Sequence, residues 1–140
     1  MILAALFFYI DFPSRDFPRY LSAMNYFSKY RCQTGVYVIP LLRAKLTPID
    51  CRVIFAPTYS WLPPHKDPIE GYRQWRINIT MLKAKEGGRF HIWKKGEARV
   101  VDRLFFCFDP ASVKHDLSYI HKGHRCVISI GWRRKQNTVS

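Results

Sequence analysis

Acidic residues are scarce in this chain. Ten Asp and Glu stand against 23 Lys and Arg, a formal net charge of +13 over 140 residues. A field of that sign argues against an enzyme acting on small cations and attracts phosphate-bearing polymers or anionic lipid headgroups. Cysteine is equally sparse. Cys32, Cys51, Cys107 and Cys126 stand too far apart for a zinc ribbon or a redox pair, which predicts four reduced thiols in an intracellular protein that is not secreted. There is no internal repeat, low-complexity tract or linker, no phosphate-cradling glycine loop, no nucleophile elbow and no carboxylate pair at helical spacing. The apolar run at residues 1–10 is too short to cross a bilayer and has neither a basic start nor a small-residue cleavage pattern, so it reads as a core strand. Asn78-Ile79-Thr80 is then an unused glycosylation sequon.

What the chain does have is apolar substance. With 48% hydrophobic and 16% aromatic residues it is rich enough to fold as one domain, expected over residues 1–132 with a basic, flexible tail at 133–140. The pattern predicts a first strand over 3–11 and a helix over 16–30, capped by Asp16 with Pro18 in its first turn and with Phe17, Leu21, Met24 and Phe27 on one face. Residues 36–46 and 52–56 read as strands, and Pro40 marks the first as an edge strand or a bend. Five prolines and glycines over 57–71 exclude regular structure there.

The clearest alternation comes next. Trp75, Ile77, Ile79 and Met81 are expected to face inward, with Arg76, Asn78 and Thr80 turned to water. Glu86-Gly87-Gly88 and Lys95-Gly96-Glu97 read as turns around a return strand at 89–94, followed by a strand over 100–108. Asp109-Pro110 predicts a second helix, with Val113, Leu117 and Ile120 as its apolar face and Gly123 at its end, before a last strand over 125–132. The expected fold class is α+β: a mostly antiparallel twisted sheet with two helices packed on it, in a single domain.

This order of elements resembles the core of rhabdovirus matrix proteins over residues 5–132. The aromatic strand Leu6-Phe7-Phe8-Tyr9-Ile10, the link Ser14-Arg15-Asp16-Phe17, the helix over 20–30, the strand over 37–42, the proline loop over 57–68, the basic strand over 72–81 and the closing helix and strand over 109–132 stand in the family's places. The Pro-Pro-x-Tyr budding motif of many members is absent, and Pro63-Pro64-His65-Lys66 does not supply it. The resemblance implies a non-enzymatic structural protein, without cofactor, that associates with itself as an oligomer or polymer. It would bridge a viral nucleocapsid and an anionic membrane surface, with RNA as a possible direct ligand. Its places would be the virion, the host cytoplasm or inner membrane face, and the host nucleus. The alternative reading is a basic RNA-binding subunit of a ribonucleoprotein such as an organellar ribosomal protein.

The residues that would carry binding are Lys83, Lys85, Arg89, Lys94, Lys95, Arg99 and Arg103 across one predicted hairpin and its continuation, with Arg133, Arg134 and Lys135 at the end of the chain. Tyr59, Trp61, Leu62 and Pro63, apolar on a predicted loop, are the candidates for self-association or shallow membrane contact. His115, His121, His124 and Cys126 are the one metal-like cluster in the sequence. Their spacing fits no zinc finger, and the simpler expectation is histidines at a helix end with no metal bound. No catalytic residue is expected. His115 and Asp116 are neighbours that would point apart on a helix, Cys107 lies in an apolar strand, and Tyr119-Ile-His-Lys122 lacks the metal-binding histidine pair its nicking chemistry needs, which His91-Ile92-Trp93 does not provide.

Overall fold

The computed structural model describes residues 32–42 and 48–135, and among these there is no helix. Eleven strands run in chain order: β1 Tyr37–Leu42, β2 Ile49–Ala56, β3 Leu62–His65, β4 Tyr72–Leu82, β5 Glu86–Gly87, β6 Phe90–Lys94, β7 Glu97–Val100, β8 Phe105–Phe108, β9 Lys114–Leu117, β10 Ile120–Lys122 and β11 Arg125–Lys135. They form a five-stranded sheet, β1-β2-β11-β4-β8, a four-stranded sheet, β3-β9-β6-β7, and a small β10-β5 ribbon. Every pairing between them is antiparallel.

The two larger sheets face one another. Phe90 of the smaller sheet meets Phe106 and Phe108 of the larger one, with ring centroids 5.0 and 5.6 Å apart. Val36, Ala56, Leu117 and Ile120 form a second apolar cluster, onto which Leu62 packs. Between these clusters the facing surfaces are polar, the reverse of what alternation predicts. On β4 the buried residues are Gln74, Arg76, Asn78 and Thr80, whereas Trp75, Ile77 and Ile79 are half-buried on the outer face and Met81 is exposed. The period of two is as expected, but the faces are exchanged. The polar side can be buried because it is bonded internally. Arg76 donates to Asp50 and Ser129, Gln74 to Asp50, Ser129 to Asn78, and Arg125 to Thr80.

Other expectations also need correction. Two helices on a sheet give way to two facing sheets among the described residues. The helix expected from Asp109 is a turn followed by strands. Asp109 does cap: its Oδ1 accepts from the amides of Ala111 and Ser112, and its carbonyl accepts from Val113 N–H. The chain then leaves the turn extended, because β9 is hydrogen-bonded on both sides, to β3 and to β6. Prolines and glycines argue against regular structure over 57–71, yet β3 lies there. Its two prolines lack N–H groups, and it pairs only at Leu62 and His65, on a sheet edge where that is tolerated. A flexible basic tail is expected from residue 133, but Arg133, Arg134 and Lys135 continue β11 opposite Gln74, Arg73 and Tyr72. Pro40 does lie on an edge strand, beside a register shift. The strand over 3–11, the helix over 16–30 and residues 43–46 and 136–140 lie outside the described residues.

Candidate metal centre

A histidine two residues before an aspartate closes β3, and β9 brings a second histidine alongside. His65 pairs with His115 across the β3–β9 ladder, and the two rings lie 4.4 Å apart, centroid to centroid. Asp67 comes next in the loop, tied down by its own N–H, which donates to the Pro110 carbonyl at 2.8 Å. Its carboxylate oxygens lie 3.6 Å from His65 Nε2 and 3.8 Å from His115 Nε2. One donor atom from each of the three residues falls within 4.8 Å of the others.

The ring tautomers are set by their partners. His65 Nδ1 lies 2.7 Å from the Pro63 carbonyl, and His115 Nδ1 lies 3.0 Å from the Val113 carbonyl. A carbonyl only accepts, so each Nδ1 carries a proton, and Nε2 is the nitrogen left to serve as a metal ligand on the Asp67 side. This is how a metal-ligating histidine is held: one nitrogen oriented by an outer partner, the other turned to the metal. Burial pushes the His115 imidazole below its ordinary range. The Val113 carbonyl partly opposes this shift, and the neighbouring His65 adds to it, so the ring is held neutral, as ligation requires. His115 is buried, whereas the Asp67 side chain is 48% exposed, so the trio sits at an opening rather than in a sealed core.

From that opening a cavity of about 240 Å³ runs between the sheets. Arg76 and Asn78 line one wall, and Arg125 lies farther along β11 toward the opposite end. Arg76 sits against Asp50, with an N–O contact of 2.7 Å. Burial alone would raise the Asp50 pKa, but the hydrogen bonds and charge of Arg76, with Arg52 behind, hold it below the usual carboxylate range. Arg125 donates to Asp102, to the Gly88 carbonyl and to Thr80 Oγ1. The Asp102 carboxyl, despite its partial burial, is likewise held low by Arg125 and Lys83.

These shifts make stability pH-dependent in one direction. His115, lowered in the fold, is protonated first in the unfolded chain, so stability should fall as pH drops through the free-histidine value of 6.5. Asp50 and Asp102, also lowered, add a further loss as pH falls below 3.8 toward their folded values. We expect the melting temperature of the metal-free protein to decline from pH 7 to pH 5 and more steeply below pH 4. A flat profile from 7 to 5 would contradict the neutral, buried His115.

The sequence candidates are distributed differently from expectation. His115 comes together with His65 and Asp67, not with His121, His124 and Cys126. His121 stacks on Tyr119, and His124 lies against Phe55. The signal that could have found the trio is His65-Lys66-Asp67, since donors at i and i+2 share a side of an extended chain. Arg125 had no such signal. Of the basic candidates, Lys83, Lys85, Arg89 and Arg103 lie toward the end of the sandwich remote from the trio, where Lys83 pairs with Asp102. Lys94, Lys95, Arg133, Arg134 and Lys135 lie toward the trio's end, and Arg99 sits on edge strand β7. They do not share one sheet face. In the candidate association loop, Tyr59, Trp61 and Pro63 are exposed, while Leu62 turns inward onto the core.

No protein-family model matches the chain, and no curated protein is similar to it by sequence. Solved structures are similar in fold. A Pseudomonas putida prolyl-4-hydroxylase superposes with a TM-score of 0.53 at 16% identity, covering 63% of this chain and 51% of that one. A Burkholderia pseudomallei oxidoreductase of the 2OG-Fe(II) oxygenase family gives 0.52 at 14% identity, covering 79% and 49%. A cupin-like protein from Thermotoga maritima gives 0.50 at 14%, covering 77% and 80%. The chain thus spans about half the length of the two oxygenase structures. At these identities the likeness shows the fold alone, a cupin-like pair of facing sheets. It overturns the matrix-protein resemblance, and with it the virion, the nucleocapsid bridge and the budding role, because the chain superposes on cupin-like and oxygenase structures and has facing sheets where the matrix reading had helices packed on a sheet. None of them speaks for a ribonucleoprotein subunit.

Proposed function

We propose that this chain is a non-haem iron(II) oxygenase that uses a 2-oxo acid such as 2-oxoglutarate as co-substrate. The observation that carries the reading is the convergence of His65 Nε2, Asp67 and His115 Nε2. Two imidazoles and one carboxylate at an open edge are the donor set suited to iron(II), with positions left for other ligands. When bound, iron supplies the dioxygen and electron-transfer chemistry, which side chains alone do not. The protein's part is to hold the ligands, through Pro63 and Val113 on the histidines and Pro110 on the Asp67 backbone. It also supplies a cationic partner inside the cavity, Arg125, for the remote carboxylate of a dicarboxylic co-substrate. The likeness to the P. putida and B. pseudomallei proteins supports the same reading.

Titration of the full chain with Mn2+ as an air-stable stand-in, followed by calorimetry, tests it. One site per chain is expected in the wild type, with binding lost in His65→Ala, Asp67→Ala and His115→Ala while their melting curves stay cooperative. Oxygen-dependent consumption of 2-oxoglutarate with Fe(II) should disappear in the same variants. A wild type that binds no metal, or variants that bind it equally, would overturn the proposal.

A further inference from the structure

Exposed cations flank the opening of the candidate metal centre, as others flank the far end of the sandwich. β4 begins, and β6 and β11 end, at the end of the sandwich where β9 begins with Lys114 and His115. Lys114 lies opposite Trp93, the residue before Lys94, while Lys135, Arg134 and Arg133 lie opposite Tyr72, Arg73 and Gln74. The loop that holds Asp67 is tied to the same end by Pro110, and Arg73 by its ion pair with Asp109. Arg73, Lys94, Lys95, Lys114, Arg134 and Lys135 are exposed there. Of the acids at this end, Asp109 pairs with Arg73, Asp50 with Arg76, and Asp67 belongs to the trio, while Glu97 lies opposite Lys94 and Glu70 is exposed just before β4.

Aromatic rings are interleaved with these cations. Arg73 lies over Trp75 at 4.8 Å, Arg133 over Tyr72 at 5.5 Å, and Lys114 over Trp93 at 5.6 Å. Cations paired with rings suit a ligand that carries both phosphates and bases. A base inside a duplex must be extruded before an enzyme acts on it, a cost that a single strand does not carry.

We propose that the substrate of this site is carried on single-stranded nucleic acid, gripped through its phosphates by the rim around His65, Asp67 and His115. The proposal rests on the oxygenase reading for its chemistry, but not for its binding surface. Fluorescence anisotropy of a labelled single-stranded oligothymidylate and of its RNA equivalent, with the full chain and Mn2+, measures the binding. Reversal of Lys94, Lys114 and Arg134 to Glu should weaken it at least tenfold and lower the salt slope by about 0.7 for each phosphate no longer neutralised. Reversal of Lys85 and Arg89, at the remote end, should change it less than threefold. Phosphorus resonances of a bound oligonucleotide should broaden with Mn2+ in the wild type and not in His65→Ala. The triple variant should keep the wild-type Mn2+ affinity, so loss of nucleic-acid binding and failure of the metal reading are separate results. No binding at low salt, equal weakening by reversals at either end, phosphorus broadening that persists in His65→Ala, or equally tight binding to polyglutamate or anionic phosphatidylserine vesicles would overturn the proposal.

Discussion

Replacing Arg76 by Met should cost the fold about 3–5 kcal/mol, because it leaves a buried carboxylate without its countercharge. Only 5% of the Arg76 side chain and 13% of the Asp50 side chain are exposed, and the shortest contact between them is 2.7 Å. The pair is packed as well as charged. A Cβ on Gly131 would lie 2.7 Å from Arg76 Nη1 and 2.9 Å from Asp50 Oδ2, so the glycine leaves the space the pair occupies. Gln74 also donates to Asp50, but an amide cannot replace the missing charge. The double variant Arg76→Met, Asp50→Leu should recover most of the stability, since removing both charges removes the desolvation penalty with them. Denaturant unfolding measures both. A single variant within about 1 kcal/mol of the wild type would show that the pair is hydrated and that the polar wall is not the interior of the fold.

The second large effect is expected at Arg125. Arg125→Met should weaken 2-oxoglutarate binding by roughly 30-fold to several thousand-fold, the equivalent of about 2–5 kcal/mol for losing one partner of a buried charge pair. Mn2+ affinity should stay near the wild-type value, because Arg125 touches none of the three ligands. The side chain is fixed before any co-substrate arrives, by Asp102, Gly88 and Thr80, and a guanidinium has five N–H donors to distribute. Arg125→Lys should restore part of the affinity, since it returns the charge without the planar fork. Asp102, at 31% side-chain exposure, can be hydrated when its partner goes, so the variant should still fold. Unchanged 2-oxoglutarate affinity in Arg125→Met would remove this arginine from the co-substrate site.

The strands are legible where the pattern is local. β2, β4, β6 and β11 stand close to where alternation and turn residues place them. The turn at Lys95 and Gly96 is present, with φ of 52° and 84°. Asp109 reads as a cap, and it is one. A cap reports on the first turn of chain and not on the residues beyond it. Past Val113 the outcome is decided by two flanking strands from elsewhere in the sequence, which supply the hydrogen bonds a helix would otherwise have made internally.

The candidate site is less legible because its parts are distant in sequence. His65 and Asp67 come from a proline-rich segment that gives no periodic signal, and His115 from a segment that reads as helix. Only pairing across β3 and β9 makes them neighbours. By itself the sequence determined the cationic excess, the strand period and the turns, because charge count, side-chain alternation and backbone preference are properties of a residue and its near neighbours. The tertiary structure alone decided which face of β4 is inside. Alternation sorts residues into two sets, but a polar set is buried only if partners such as Asp50 and Ser129 arrive from other strands to bond it, and those partners meet only once the sheets have formed.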